Sequence, residues 1–153
     1  MGKRRKGREI VLQATYASLI SGADLQVTLA DQLSRRESAD ETSEFAEQLM
    51  KKIQLNRSDL QQKLNALLEG SNWSPERLGI LEKVILTMGI CELVYSKDVP
   101  VRVAINEALE LTRRYCDEKA VGFVNGILDQ AASRVYPDGI PDFKTPDTDG
   151  ESS

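Results

Sequence analysis

The chain of 153 residues is long enough for one domain with a sizeable buried core, and its apolar (41%) and charged (29%) fractions are ordinary for a globular protein. It contains no histidine, which excludes the commonest general base and metal ligand; with no other catalytic spacing, the sequence predicts a non-enzyme without metal or cofactor. The net charge of −4 does not exclude a nucleic-acid partner, because basic residues cluster at the start of the chain and acidic residues at its end.

The cysteines and the N-terminus indicate the compartment. Cys91 and Cys116 show no metal-ligand spacing, and the simplest interpretation is two buried, reduced thiols. The N-terminus lacks the apolar segment of a secretory signal, and no run of about 18 apolar residues is present. We therefore expect a cytoplasmic protein without a membrane partner.

The first 20 residues run from a basic arm, residues 1–8, into a helix whose core face includes Val11 and Leu19. Gly7 lowers the helix propensity of the arm, so we expect the arm to become ordered only on binding RNA. Tyr16 lies on another side of the helix, where its ring can stack on an unpaired base. The arm would hold phosphates through its cations, which are Lys3, Arg4, Arg5, Lys6 and Arg8. The alternative is a solvated tail, with Tyr16 at the edge of the core.

Three core-forming helices are predicted next. Apolar spacing places them at about residues 25–33, 45–53 and 60–68, and the polar segment before the second of them indicates a solvated loop. A further helix is expected to begin with Ser74 as N-cap and Pro75 in its first turn, preceded by Trp73 as a hydrophobic staple.

Residues 78–95 form the most apolar part of the chain, and a helix that is apolar nearly all round is either central to the core or shared with a partner. Four residues at spacings of four, three and four lie off its main apolar stripe. They are predicted to form a protein interface and are Glu82, Leu86, Gly89 and Leu93. The open alternative is that another helix of the same chain covers this face.

Residues 99–131 predict two amphipathic helices that are joined by a short turn and pack against each other, with Asp117 as the N-cap of the second. Phe123 lies roughly 115° from the centre of the second apolar stripe, at about 100° per residue. Base stacking would explain an aromatic residue there, and packing against a neighbouring helix is the alternative. Gly126 would permit close approach to the first helix of the pair.

The composition changes after this pair of helices. Residues 137–153 are rich in Pro, Gly, Asp and Ser and are predicted to form an acidic, disordered tail that competes weakly with RNA for the basic arm. Residues 9–136 are then the all-helical domain.

Three segments resemble the NusB family of bacterial transcription antitermination factors. V-A-I-N-E-A-x-E-L followed by F-V-N-G-I-L-D is similar to the C-terminal signature of the family. K-G-R-E and L-Q-A-T-Y near the start resemble the family's R-x-R-E and V-Q-A-L-Y. The segment around Glu82 resembles L-x-x-V-E-x-A-I-L-R-x-A-x-Y-E-L, although Cys91 replaces the usual tyrosine. The resemblance covers about residues 4–136.

This resemblance implies an all-α fold of about seven helices, arranged as two small bundles packed across each other. It also implies binding of single-stranded boxA-type RNA in nascent ribosomal RNA, together with NusE, a ribosomal small-subunit protein. In that role the chain would join the antitermination complex of RNA polymerase and promote read-through of terminators. The family's contacts would place Lys119 and Phe123 beside the RNA, and Glu82 against NusE.

Two other functions stay open. NusB-like domains also occur fused to ribosomal RNA methyltransferases, and this chain would then be a stand-alone RNA-binding domain, since it has no room for a cofactor-binding domain. The other alternative is a helical scaffold that forms a homodimer through the Leu86 face. Measuring the mass in solution would detect a stable dimer.

Overall fold

The computed structural model describes residues 2–71 and 78–141, and these ranges contain seven helices and no strand. The helices are α1 (Lys3–Ser21), α2 (Leu25–Arg36), α3 (Asp40–Leu55), α4 (Arg57–Glu69), α5 (Ile80–Tyr95), α6 (Val101–Tyr115) and α7 (Glu118–Val135). None of them is both long and apolar enough to cross a membrane. The predicted all-α fold of about seven helices is confirmed.

The helices pack as two groups that share one central helix. α1 lies against α2 and α3, whereas α5, α6 and α7 pack against one another and α4 lies against α5 and α7. α5 also contacts α1 and α3, and its residues Ile85, Leu86 and Ile90 are at most 1% exposed. The apolar helix therefore joins the two groups, as expected for two small bundles packed across each other.

Local sequence signals account for several helix ends. The Asp117 carboxylate accepts a hydrogen bond of 3.0 Å from the backbone N–H of Ala120, which confirms the predicted N-cap of α7. Asp24 caps α2 in the same way through the N–H of Gln26. Gly22, with φ of +79°, ends α1 in the left-handed conformation that glycine adopts without strain.

The basic arm is helical rather than disordered, because α1 begins at Lys3 and includes the whole segment up to Arg8. Gly7 serves close packing: a Cβ at this position would lie 2.8 Å from the Phe45 ring of α3. The expectation for Gly126 is also wrong, since a Cβ there would meet no atom within 4 Å. Leu19, expected in the core, is 58% exposed.

Two predictions lie outside the described residues. The proposed helix start at Trp73, Ser74 and Pro75 falls in residues 72–77, and most of the predicted acidic tail falls in residues 142–153.

Candidate nucleic-acid interface

Two basic residues at the start of α1 pair with carboxylates elsewhere in the chain, one on α3 and one in the turn between α5 and α6. Lys3 Nζ lies 3.1 Å from Glu41, and both side chains are exposed. Arg4 Nη2 lies 3.5 Å from Asp98, and its guanidinium is 5.3 Å from the centre of the Phe45 ring. Lys6 is half-buried. Lys3 and Arg4 are thus positioned by ion pairs at the surface of the protein.

Arg8 cannot play the predicted phosphate-binding role, because its side chain is only 1% exposed. Its Nε and Nη2 donate to the two oxygens of Glu92 at 2.8 Å, and its Nη1 lies 3.4 Å from Glu107. The Phe45 ring covers the guanidinium at 4.9 Å. Arg8 therefore fastens α1 to α5 and α6 inside the protein, and the prediction for this residue is wrong.

A cleft of about 250 Å³ lies between α1 and α6, and its lining includes four arginines and three glutamates. Arg5, with 38% of its side chain exposed, donates from Nε and Nη2 to Glu107 at 3.0 and 2.6 Å. This hydrogen bonding raises the pKa of the Arg5 guanidinium above its ordinary value. Arg113 and Arg114 line the cleft from α6, with 50% and 55% of their side chains exposed.

Polar contacts continue along α1 from this cleft towards Tyr16. Glu9, only 3% exposed, pairs with Arg36 of α2 and Arg114 of α6. Gln13, one turn further along α1, donates to the Tyr115 hydroxyl at 2.8 Å. Tyr16 follows three residues later and is 39% exposed, and its stacking on a base stays a prediction.

Lys119 and Phe123 lie one turn apart on α7. Lys119 is exposed, whereas Phe123 is half-buried and packs against the hydrophobic core. The alternative that the sequence left open for Phe123, packing against neighbouring helices, thus explains why this aromatic residue is partly buried.

The predicted protein interface on α5 is mostly covered by the chain itself. Leu86 is fully buried and Leu93 is 3% exposed. Gly89 lies against α7 so closely that a Cβ would be 2.9 Å from Leu128. The interface prediction is therefore wrong for Leu86, Gly89 and Leu93, because another helix of the same chain covers this face. Because this face is covered, it is also not available for the homodimer that the sequence left open.

Glu82 is the member of that set that stays partly exposed, in the first turn of α5. Ile80, two residues earlier, is 42% exposed but points to another side of the helix. The chain after α6 also reaches this end of α5: burial, and a hydrogen bond with Glu82, raise the pKa of Cys116 to about 12.

The described residues offer little chemistry beyond binding. Both cysteines are free; Cys91 is buried as predicted, and burial raises its pKa to about 12, whereas Cys116 is half-buried. Within residues 2–71 and 78–141, no group of three His, Cys, Asp or Glu side chains is placed to hold a metal ion.

Sequence reasoning missed the arginines that reach the cleft region from outside α1. Arg36 and Arg114 each lie next to another arginine in the sequence, and these pairs, R-R at 35–36 and at 113–114, were the available signal. Both pairs lie in the last turn of a helix, α2 or α6, where positive charge interacts favourably with the helix dipole. The pattern alone therefore does not indicate a ligand.

Known proteins resemble this chain in sequence and in fold. The family model described as "NusB family" matches residues 5–133. The chain is 36% identical to the transcription antitermination protein NusB of Trichlorobacter lovleyi over 130 residues, or 85% of this chain and 90% of that protein. Among solved structures, T. maritima NusB superposes with a TM-score of 0.76 at 30% identity, covering 85% of this chain and 90% of that one. A structure of antitermination factors NusB and NusE with double-stranded RNA shares the fold, with a TM-score of 0.77 at 21% identity, covering 86% of this chain and 97% of that one.

Proposed function

This chain belongs to the NusB family, and we propose that it is a transcription antitermination factor that binds boxA-type RNA of nascent ribosomal RNA together with NusE. Its mechanism is binding alone. By holding the RNA strand and NusE at once, it would enter the antitermination complex of RNA polymerase in the cytoplasm and promote read-through of terminators.

RNA binding is supported above all by the cleft between α1 and α6, where Arg5, Arg113 and Arg114 are partly exposed. Tyr16, further along α1, is 39% exposed. Cations in the cleft neutralise phosphates, and an aromatic ring stacks on an unpaired base. Lys3, Arg4 and Lys6 would add phosphate contacts from the first turns of α1. Lys119 and Phe123 would contact the strand from α7.

NusE would dock at the first turn of α5. Glu82 is the residue that the family resemblance assigns to this contact, and it is partly exposed. Leu86, Gly89 and Leu93 lie further along α5, where the chain itself covers them, and would not touch the partner.

Fluorescence anisotropy of a labelled single-stranded boxA-like RNA, with and without NusE across a salt series, tests this function. We expect tighter binding with NusE, and affinity that falls steeply with salt because phosphate contacts release counterions. Tyr16→Ala should weaken binding by about 1–3 kcal/mol, whereas Tyr16→Phe, which keeps the ring, should leave it nearly unchanged.

Two controls decide between alternatives. A duplex of the same sequence, bound more tightly than the single strand, would assign the chain to double-stranded RNA. Binding no stronger than to a scrambled strand, even with NusE, would reject the proposal. Light scattering would then test the homodimeric scaffold, which needs a surface other than the Leu86 face.

A further inference from the structure

One buried carboxylate forms ion pairs with two arginines from two different helices. Glu9 of α1 is 3% exposed, and its Oε1 lies 3.3 Å from Arg36 Nη1 of α2. Its Oε2 lies 2.7 Å from Arg114 Nη1 of α6 and accepts a hydrogen bond of 3.4 Å from the Tyr115 hydroxyl. The two guanidiniums are therefore held side by side by a group that is itself hidden from solvent.

The surrounding contacts fix the orientation of both guanidiniums. Arg36 Nη2 donates to Gln13 Oε1 at 2.5 Å, and Gln13 in turn donates to the Tyr115 hydroxyl. The guanidinium of Arg114 lies 5.9 Å from the centre of the Tyr115 ring. Each guanidinium carries five N–H donors in a rigid plane, so these contacts orient it without using all of its donors.

The charge of this cluster is directed outward. Glu9 supplies one buried negative charge, while the side chains of Arg36 and Arg114 are 23% and 55% exposed. Solvent, or a ligand, thus meets two cations and hardly any of the anion between them. A planar, preorganised pair of guanidiniums suits the oxygens of a phosphate group.

We propose that Glu9 is a positioning residue that holds Arg36 and Arg114 as a clamp for one backbone phosphate of the RNA strand. The clamp lies beside Tyr16, because Gln13 is only about 4.5 Å along the helix axis from Tyr16. The phosphate would therefore lie close to the base that stacks on this ring. This inference rests on the RNA binding proposed above.

The variant Glu9→Gln should change RNA affinity in opposite directions, depending on whether Glu9 positions the arginines or acts only through its charge. Removing a negative charge near the RNA should tighten binding if only the net charge matters. If Glu9 positions the arginines, the neutral amide holds them more weakly, and affinity should fall about fivefold or more despite the gain in positive charge. Unchanged or tighter binding by the folded variant would overturn the proposal.

The arginines provide a second test, which does not depend on a substitution in the buried site. Arg36→Gln and Arg114→Gln should each reduce the slope of log K against log salt by about 0.7, the loss of one phosphate contact with a single strand. Arg35→Gln is the matched control, since Arg35 precedes Arg36 on α2 but is 72% exposed and pairs with Asp31. We expect its slope to equal that of the unmodified protein.

Equal slopes for Arg35→Gln and Arg36→Gln would overturn the clamp while leaving RNA binding itself intact. Failure of the unmodified protein to bind the strand would instead reject the proposed function. Circular dichroism melting of each variant shows whether it is folded, so that a loss of structure is not mistaken for a loss of contact.

Discussion

The burial of the Arg8 side chain determines the role of this residue. Its guanidinium is enclosed by Glu92, Glu107 and the Phe45 ring, and both carboxylate side chains are at most 5% exposed. Replacing such an ion pair by apolar groups can be neutral, but removing one partner leaves the other charge buried without compensation. Glu92 depends on Arg8 in this way, while Glu107 keeps Arg5 as a second partner.

We predict that Arg8→Met lowers the free energy of unfolding by about 3–5 kcal/mol, because it strands a buried carboxylate. Urea denaturation followed by circular dichroism would measure the change. Lys3→Met is the control: its ion pair with Glu41 is exposed, and such pairs contribute less than about 1 kcal/mol. An Arg8→Met protein of normal stability that had lost RNA affinity would show instead that Arg8 contacts the ligand.

Features that depend on neighbouring residues were easier to predict than the burial of individual side chains. A run of cations at the N-terminus, an exposed Tyr16 and the cap residue Asp117 could all be inferred locally. Arg8 could not, because its partner Glu92 lies 84 positions away in the sequence and no helical periodicity signals the pairing. The buried state of Glu9 depends in the same way on Tyr115, 106 positions away.

The positions and order of the helices could be predicted from the sequence. Which neighbour packs on each helix face could not. Apolar spacing and the cap residue Asp117 predicted the segments that became the seven described helices, including α5 within residues 78–95, because caps and periodicity are local properties. Whether α7 or a partner covers the Leu86 face of α5 depends on tertiary packing, and the sequence left both alternatives open.

Gly7 and Gly126 allow the contribution of close helix packing to be separated from helix propensity. Both lie inside helices, where Gly→Ala alone should stabilise by about 0.5–1 kcal/mol. At Gly7 the added Cβ would also lie 3.3 Å from the Thr42 carbonyl oxygen, and the Phe45 ring that it would displace is in contact with Arg4 and Arg8.

We therefore predict opposite signs for these two substitutions. Gly7→Ala should destabilise by about 1–3 kcal/mol, because it forces α1 and α3 apart, and Gly126→Ala should stabilise by up to about 1 kcal/mol. Urea denaturation of the two variants in parallel measures both effects. A Gly7→Ala protein as stable as Gly126→Ala would contradict close α1–α3 packing.

For the whole molecule, the distribution of charge matters more for RNA binding than its total. Two of the three carboxylates that line the cleft, Glu9 and Glu107, are buried, and the third, Glu110, is exposed but pairs with Arg113. A strand would therefore meet more exposed arginines than carboxylates, because Arg5, Arg113 and Arg114 are all partly exposed. Much of the acidic surplus lies at the other end of the chain: residues 137–153 carry five acidic residues and one lysine. The net charge of −4 thus conceals a cationic site.

Deleting residues 137–153 tests whether this acidic segment acts on the RNA site through charge. The deletion removes the whole net negative charge, so we predict affinity for the boxA-like strand to rise about two- to fivefold at low salt and to be unchanged near 0.5 M, where screening suppresses long-range attraction. A full-length variant with the five acidic residues changed to their amides should behave like the deletion, since charge alone is responsible. Equal affinities for the intact and truncated chains at low salt would show that the acidic segment does not compete with RNA.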